Sequence, residues 1–300
     1  RVSAFGVVIT GAARGVGFAY AAEFQRRGHD VLICDVDEGR IRAAGDALER
    51  RRGDSREGKV YPFACDVSVS ADVASLAEKA RASLGTVHLW INNAGVNGGR
   101  RPLVDVPDEE IERVVRVNLL GTLLCTKQAM KLLGGQAGVH GHIFNTVGSG
   151  VKGGGTPGFA SYGATKRGLP QLTESLVAEL DNGVQGIDQP ATQGTVGVHT
   201  VSPGMVFTDL LLRDSTAELR KFPFGVLAAQ PEEVAQDLVP KILATRGTGS
   251  RVEYLDTKRI LLRFFERFVL QKQSKYISGD GEVIRRQGEE YSEDGVRLLF

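Results

Sequence analysis

The chain has 300 residues, 42% hydrophobic and 24% charged, enough for one large α/β domain with a sizeable core. Thirty-seven basic residues face 36 acidic ones, and the formal net charge of +1 gives no global pull toward nucleic acid or an anionic membrane. No run approaches the roughly 18 apolar residues of a membrane-crossing helix, and Cys34, Cys65 and Cys125 sit in apolar runs that suit buried reduced thiols and a reducing compartment rather than a disulfide or a metal site.

In chain order, Phe5 to Thr10 is a short apolar run, followed by Gly11-Ala-Ala-Arg14-Gly15-Val16-Gly17 and an apolar helical stretch from Phe18. Strand, glycine turn and helix in that order let main-chain N–H groups approach a pyrophosphate at a helix N-terminus. The next strand, Asp30 to Asp35, ends in a carboxylate suited to the adenosine ribose hydroxyls, which favours NAD(H). Arg14 and Arg40 stand against that preference, because either can pair with a 2′-phosphate; otherwise both are surface charges.

The run Glu49-Arg-Arg-Arg-Gly53 reads as a solvated helix end. Lys59 to Cys65 is a third strand, with Asp66-Val67 at its end placed to touch the adenine, and Ala71 to Leu84 has helical spacing. A fourth strand, Val87 to Ile91, runs into Asn92-Asn93-Ala94-Gly95. Such alternation predicts a single Rossmann-type α/β domain: a doubly wound parallel sheet with helices on both faces. Asp108 to Met130 reads as one long helix with Asn118 midway. An amide there is either a satisfied core group or the holder of a water that relays protons.

His142 to Val147 reads as a strand, which puts Ser149 at a carboxyl edge, where open sheets place ligands. Tyr162 follows 13 residues later, with Lys166 one helical turn on. An ammonium beside a phenol is expected to lower the tyrosine pKa. Beyond the loop Asn182 to Thr195, the strand Val196 to Ser202 leads into Pro203-Gly-Met-Val-Phe-Thr208, and Asp209 to Phe224 is where substrate specificity would be built. Glu232 to Thr245 is a helix and Arg251 to Leu255 the last strand, which closes a domain over 1–256 and leaves 257–300 as an extension.

That extension opens with a basic amphipathic helix, Lys258 to Leu270. Ile260, Leu261, Phe264, Phe265, Phe268 and Val269 share one arc; Arg259, Arg263, Glu266 and Arg267 share the other. Residues 258–275 hold six basic side chains and one acidic. Such a helix either lies on a membrane surface or packs on the domain or a partner subunit.

Taken together, Thr10-Gly-x-x-x-Gly-x-Gly, Asn92-Asn-Ala-Gly, Asn118, Ser149, Tyr162-x-x-x-Lys166 and Pro203-Gly with Thr208 resemble the short-chain dehydrogenase/reductase family. The resemblance implies hydride transfer between NAD(P)H and a carbonyl or alcohol carbon, no metal, and a homo-oligomer. Catalysis would fall to Asn118, Ser149, Tyr162 and Lys166. The cofactor would meet Gly11, Arg14, Gly15, Val16, Gly17, Asp35, Asp66, Val67, Asn93, Ala94, Gly95, Tyr162, Lys166, Pro203, Gly204, Val206 and Thr208.

A narrower resemblance, to plastid chlorophyll b reductases of the non-yellow-coloring group, lies in Trp90 to Leu103, Asn118 to Thr126, Gly141 to Asn145, Val198 to Leu212 and the chain beyond Val252. It implies reduction of the 7-formyl group of a lipophilic pigment at the stromal face of thylakoids. Two stretches depart from that group: Asp35-Val36 stands where its plant members carry a basic residue suited to NADPH, and the loop Thr146 to Pro157 differs in composition. The alternatives are reduction of another lipophilic ketone or aldehyde and, from a different class, a nicotinamide-binding scaffold without turnover.

Overall fold

The computed structural model describes residues 4–52, 57–148, 151, 154–186, 194–293 and 295–298. Seven strands form one parallel sheet in the order β3-β2-β1-β4-β5-β6-β7. They are β1 (Gly6–Thr10), β2 (Asp30–Asp35), β3 (Val60–Ala64), β4 (Leu89–Asn92), β5 (Gly141–Thr146), β6 (Val196–Ser202) and β7 (Arg251–Glu253). The order reverses between β1 and β4, which opens a crevice beyond their carboxyl ends.

Neighbouring residues on a strand point to opposite faces, and the core divides accordingly. Val7, Ile9, Val31, Ile33, Leu89, Ile91 and Phe144 meet α1 (Gly15–Arg26), α2 (Glu38–Arg52) and a later helix, Pro231–Ala244. Val8, Leu32, Cys34, Trp90 and Ile143 meet α3 (Ser70–Leu84) and two further helices, Thr122–Gly134 and Ala160–Asn182. Cys65 and Cys125 lie in this second layer, and all three thiols are buried.

The stretch expected as one long helix is divided. It runs as α4 (Asp108–Val115), a π turn over Arg116–Gly121, and α5 (Thr122–Gly134). The Thr122 hydroxyl donates to the Asn118 carbonyl (2.8 Å), and the Asn118 side chain is drawn off to Val96. Both pulls widen the turn.

The catalytic-helix candidate is α6 (Ala160–Asn182). After β6 come short turns α7 (Asp209–Leu212), α8 (Ala217–Leu219) and α9 (Gly225–Leu227), then α10 (Pro231–Ala244) and, beyond β7, α11 (Thr257–Phe264) with a π turn over Phe265–Val269. Tyr276 and Ile277 from the tail build a small separate core with Phe207, Leu212, Phe224 and Ala228. No helix among the described residues is long and apolar enough to cross a membrane.

Near the amino ends of the strands, all five histidines gather. His29 and His88 accept from the main-chain N–H groups of Phe5 (3.1 Å) and Gly6 (3.0 Å). The Ser250 N–H donates to His199 Nδ1 (3.1 Å), so His199 Nε2 carries the proton and donates to His142 Nδ1 (2.9 Å). His140 lies beside His142, with ring centres 4.8 Å apart.

Candidate active site

Gly11 and Gly15 hold φ of +63° and +58°, which only glycine adopts freely. A side-chain carbon at Gly11 would lie 2.6 Å from Ala94 Cα, and one at Gly17 only 2.4 Å from the Gly11 carbonyl oxygen. Backbone therefore packs on backbone where the turn meets Asn92–Gly95. Thr10 Oγ1 accepts from the N–H groups of Asn93 (3.0 Å) and Ala94 (3.1 Å), while the Asn93 amide donates to the carbonyls of Thr10 (3.1 Å) and Gly11 (3.0 Å). Helix α1 starts with no side-chain cap and no acidic residue in its first turn. Uncapped N–H groups and the positive end of the helix dipole suit the pyrophosphate of a dinucleotide, so the residues present fit that cofactor.

Asp35 closes β2 as expected and is turned toward the glycine turn. Its carboxylate accepts from the Ala13 N–H (3.3 Å). Both arginines weighed against it have carboxylate partners: Arg40 pairs with Asp37 (3.2 Å) and Arg14 with Asp209. Asp66 spends one carboxylate oxygen on the N–H (2.9 Å) and hydroxyl (2.8 Å) of Ser68, and Val67 is buried against Gly121.

Lys166 Nζ donates to the Thr146 carbonyl at the end of β5 (2.9 Å) and lies 5.9 Å from the centre of the Tyr162 ring. A carbon at Gly95 would lie 3.5 Å from Lys166 Nζ and 3.4 Å from Asn118 Oδ1, so these groups meet above Gly95. Ser149 lies outside the described residues. The expected lowering of the Tyr162 pKa is not what the structure gives. Burial pushes the phenol up to about 12 and the ammonium down to about 8. Desolvation of both charged forms outweighs an attraction across that distance.

Asn118 is wholly buried and satisfied. Its Oδ1 accepts from the Val96 N–H (2.9 Å), and its Nδ2 donates to the Val96 carbonyl (2.8 Å) and Thr165 Oγ1 (3.2 Å). The side chain is a bracket between the loop after β4 and α6, and the main-chain carbonyl already accepts from the Thr122 hydroxyl (2.8 Å), which leaves one lone pair for a water.

Gly204, with φ +73°, turns the chain after Pro203. Val206 pairs with Ala229, and Thr208 comes back to Gly15, where a side-chain carbon would meet its methyl at 3.2 Å. The same segment is held across the crevice by Arg14–Asp209 and by the Asn97 amide donating to the Leu210 carbonyl (2.8 Å). Val16 follows Gly15 in the first turn of α1.

Sequence reasoning missed Gly148. A side-chain carbon there would lie 2.4 Å from the Tyr162 hydroxyl, so only glycine leaves the phenol in place. Its signal was a glycine between a buried strand and Ser149. Asp209 and Asn97 were also missed; nothing local marks a bond made across the crevice. Among the described residues, no group of three His, Cys, Asp or Glu is arranged to hold a metal.

Comparison with known proteins extends the pattern. A probable chlorophyll(ide) b reductase NYC1 of Oryza sativa subsp. japonica is 38% identical over 290 residues, covering 93% of this chain and 55% of the rice protein. The chlorophyll(ide) b reductase NOL of Arabidopsis thaliana is 38% identical over 280 residues, covering 91% of this chain and 77% of that one. The chain thus spans about half the length of the NYC1 relatives. Among solved structures, the 3-ketoacyl-(acyl-carrier-protein) reductase of Brucella melitensis, in complex with NADH, matches with a TM-score of 0.68 at 26% identity, over 84% of this chain and 98% of its own. The profile described as short chain dehydrogenase matches residues 6–218, from the first strand through the crevice-spanning segment, and the chain belongs to the short-chain dehydrogenase family.

Proposed function

We propose that this chain reduces the 7-formyl group of chlorophyll(ide) b to hydroxymethyl with a nicotinamide cofactor. The observation that carries this reading is the similarity to proteins named chlorophyll(ide) b reductase over more than nine-tenths of the chain. A bound nicotinamide supplies the hydride. Tyr162 is protonated at neutral pH, because burial holds its pKa near 12, and stands ready to donate to the carbonyl oxygen. Lys166, cationic below about pH 8, stabilises the phenolate left behind. Ser149 holds the substrate oxygen, and a water accepted on the free lone pair of the Asn118 carbonyl relays protons to the lysine. Gly11 to Gly17, Asp66-Val67, Asn93 to Gly95 and Pro203 to Thr208 hold the cofactor.

NADH is the cofactor this reading favours. Asp35 faces the glycine turn, and neither Arg14 nor Arg40 is free for a 2′-phosphate without leaving a carboxylate. The names of the relatives support a chloroplast location. A homo-oligomer is supported by the exposed Leu103, Val115, Leu120 and Leu123, and by an apolar hollow of about 390 Å³ between α4, its π turn and α6. Residues 1–256 form the dehydrogenase domain, with 257–300 as its extension.

The test is anaerobic incubation of purified protein with chlorophyllide b and NADH or NADPH, followed by separation of the pigments. The 7-hydroxymethyl product, formed faster with NADH, is expected. No product with either cofactor, despite demonstrated cofactor binding, removes the pigment reading and leaves a reductase of another lipophilic carbonyl.

A further inference from the structure

The tail helix is amphipathic as the sequence predicts, but it is docked inside out. Its basic side faces the domain. Arg259 donates to the Tyr254 carbonyl (2.6 Å) and pairs with Asp237 (2.6 Å), its guanidinium 4.2 Å from the centre of the Tyr254 ring. Arg263 donates to the carbonyls of Leu227 and Ala228 (both 3.1 Å) and to the Tyr254 hydroxyl (2.8 Å). The apolar side is left facing outward: Leu261, Leu262, Phe265, Phe268 and Val269 are 49–64% exposed. A helix that only completes a soluble domain turns that side in.

The patch does not end with the helix. Phe222, 51% exposed, lies 6.1 Å from Phe264 and 6.3 Å from Phe268, ring centre to ring centre. Phe222 belongs to the segment that begins at Asp209, where the chain is tied across the crevice. One continuous apolar surface therefore runs from the tail helix onto the segment expected to set substrate specificity. Exposed lysines stand beside it: Lys221 adjoins Phe222, Lys258 precedes Leu261 and Leu262 by one helical turn, and Lys275 lies near Glu266.

These lysines decide the occupant. A second copy seated on this face about a two-fold axis would bring like charges together, which opposes association. Anionic lipid headgroups complement the lysines, while acyl chains receive the apolar side chains. We propose that the outward face of α11 and its π turn, together with Phe222, docks on a lipid bilayer that carries anionic headgroups. Docking stands on this surface alone; its use in admitting a lipophilic substrate rests on the pigment reading.

The test is sedimentation of the whole chain with sucrose-loaded vesicles of phosphatidylcholine, or of phosphatidylcholine and phosphatidylglycerol in equal parts, without pigment or nicotinamide, so its result is independent of the reaction. Wild type should sediment with the mixed vesicles. The triple variant Leu261→Gln, Phe265→Gln, Val269→Gln keeps both arginine anchors and should lose roughly tenfold or more in vesicle affinity, with cofactor binding and melting temperature unchanged. Lys258→Glu with Lys275→Glu should abolish the preference for anionic vesicles. Wild type that sediments with neither vesicle overturns the proposal, as does a triple variant that sediments like wild type. A triple variant that changes only the oligomeric state assigns the face to a subunit contact and overturns it as well.

Discussion

Strand β5 has buried titratable groups at both ends. At its carboxyl end the Thr146 carbonyl holds Lys166; near its amino end His142 joins His199. Burial lowers all three pKa values, to about 8 for Lys166, about 4 for His142 and about 3 for His199. What separates the two ends is placement. Lys166 and Tyr162 border a crevice beside an uncapped helix and backbone glycines, whereas the histidine chain ends on the Ser250 amide in the sheet's base. A shifted pKa marks a functional group only when geometry offers it something to act on.

The comparison breaks first, and in activity most widely, at Tyr162. Tyr162→Phe removes the proposed proton donor and should lower reductase turnover by about 10³-fold, roughly 4 kcal/mol, with cofactor affinity retained in a fluorescence titration. Turnover unchanged in that variant would place the donor elsewhere.

At the other end the readout is stability. The unfolded chain holds its histidines near pKa 6.5, while folded His142 and His199 sit near 4 and 3, with His140 and Arg246 adding positive charge. As pH falls below 6.5 the unfolded state takes up protons first, so stability is full above that value and is lost down to about pH 3. Urea titrations at neutral pH and near pH 4 should differ by about 3 kcal/mol for each histidine, and so by on the order of 6 kcal/mol from the two together. Replacing both histidines with glutamine should flatten the difference; an unchanged slope assigns the acid lability to other groups.

A finer cut is Gly148→Ala. The added carbon must displace the phenol, so turnover is expected to fall by roughly 2 kcal/mol in barrier, about 30-fold, with little change in melting temperature. Equal losses in turnover and stability would make Gly148 a packing residue only. The smallest effect is the pH profile between pH 8 and 9: kcat/KM for reduction should decline by up to about tenfold there as Lys166 loses its proton. A plateau to pH 10 would detach Lys166 from the chemistry.

Strands, glycine turn, Asp35 and the Tyr162–Lys166 pair were legible because each is written locally, in period, turn chemistry or spacing. What was not legible depends on partners distant in sequence. Periodicity drew the tail helix as amphipathic, but the anchors that turn its basic side inward are Asp237 and the carbonyls of Leu227 and Ala228. Spacing put an ammonium beside a phenol, but depth of burial set the direction of both pKa values. Arg14 read as a phosphate ligand or a surface charge, and its partner Asp209 lies on the far side of the crevice.

The π turn at Arg116–Gly121 has a consequence for phase. It holds one residue more than an α turn, so α4 and α5 run about 100° out of step although their axis is shared. Removing one residue there would heal the helix into a single regular rod. The healed rod would be the better helix and the poorer protein: either Asn118 leaves Val96 and Thr165, or Gly121 leaves its seat on Val67.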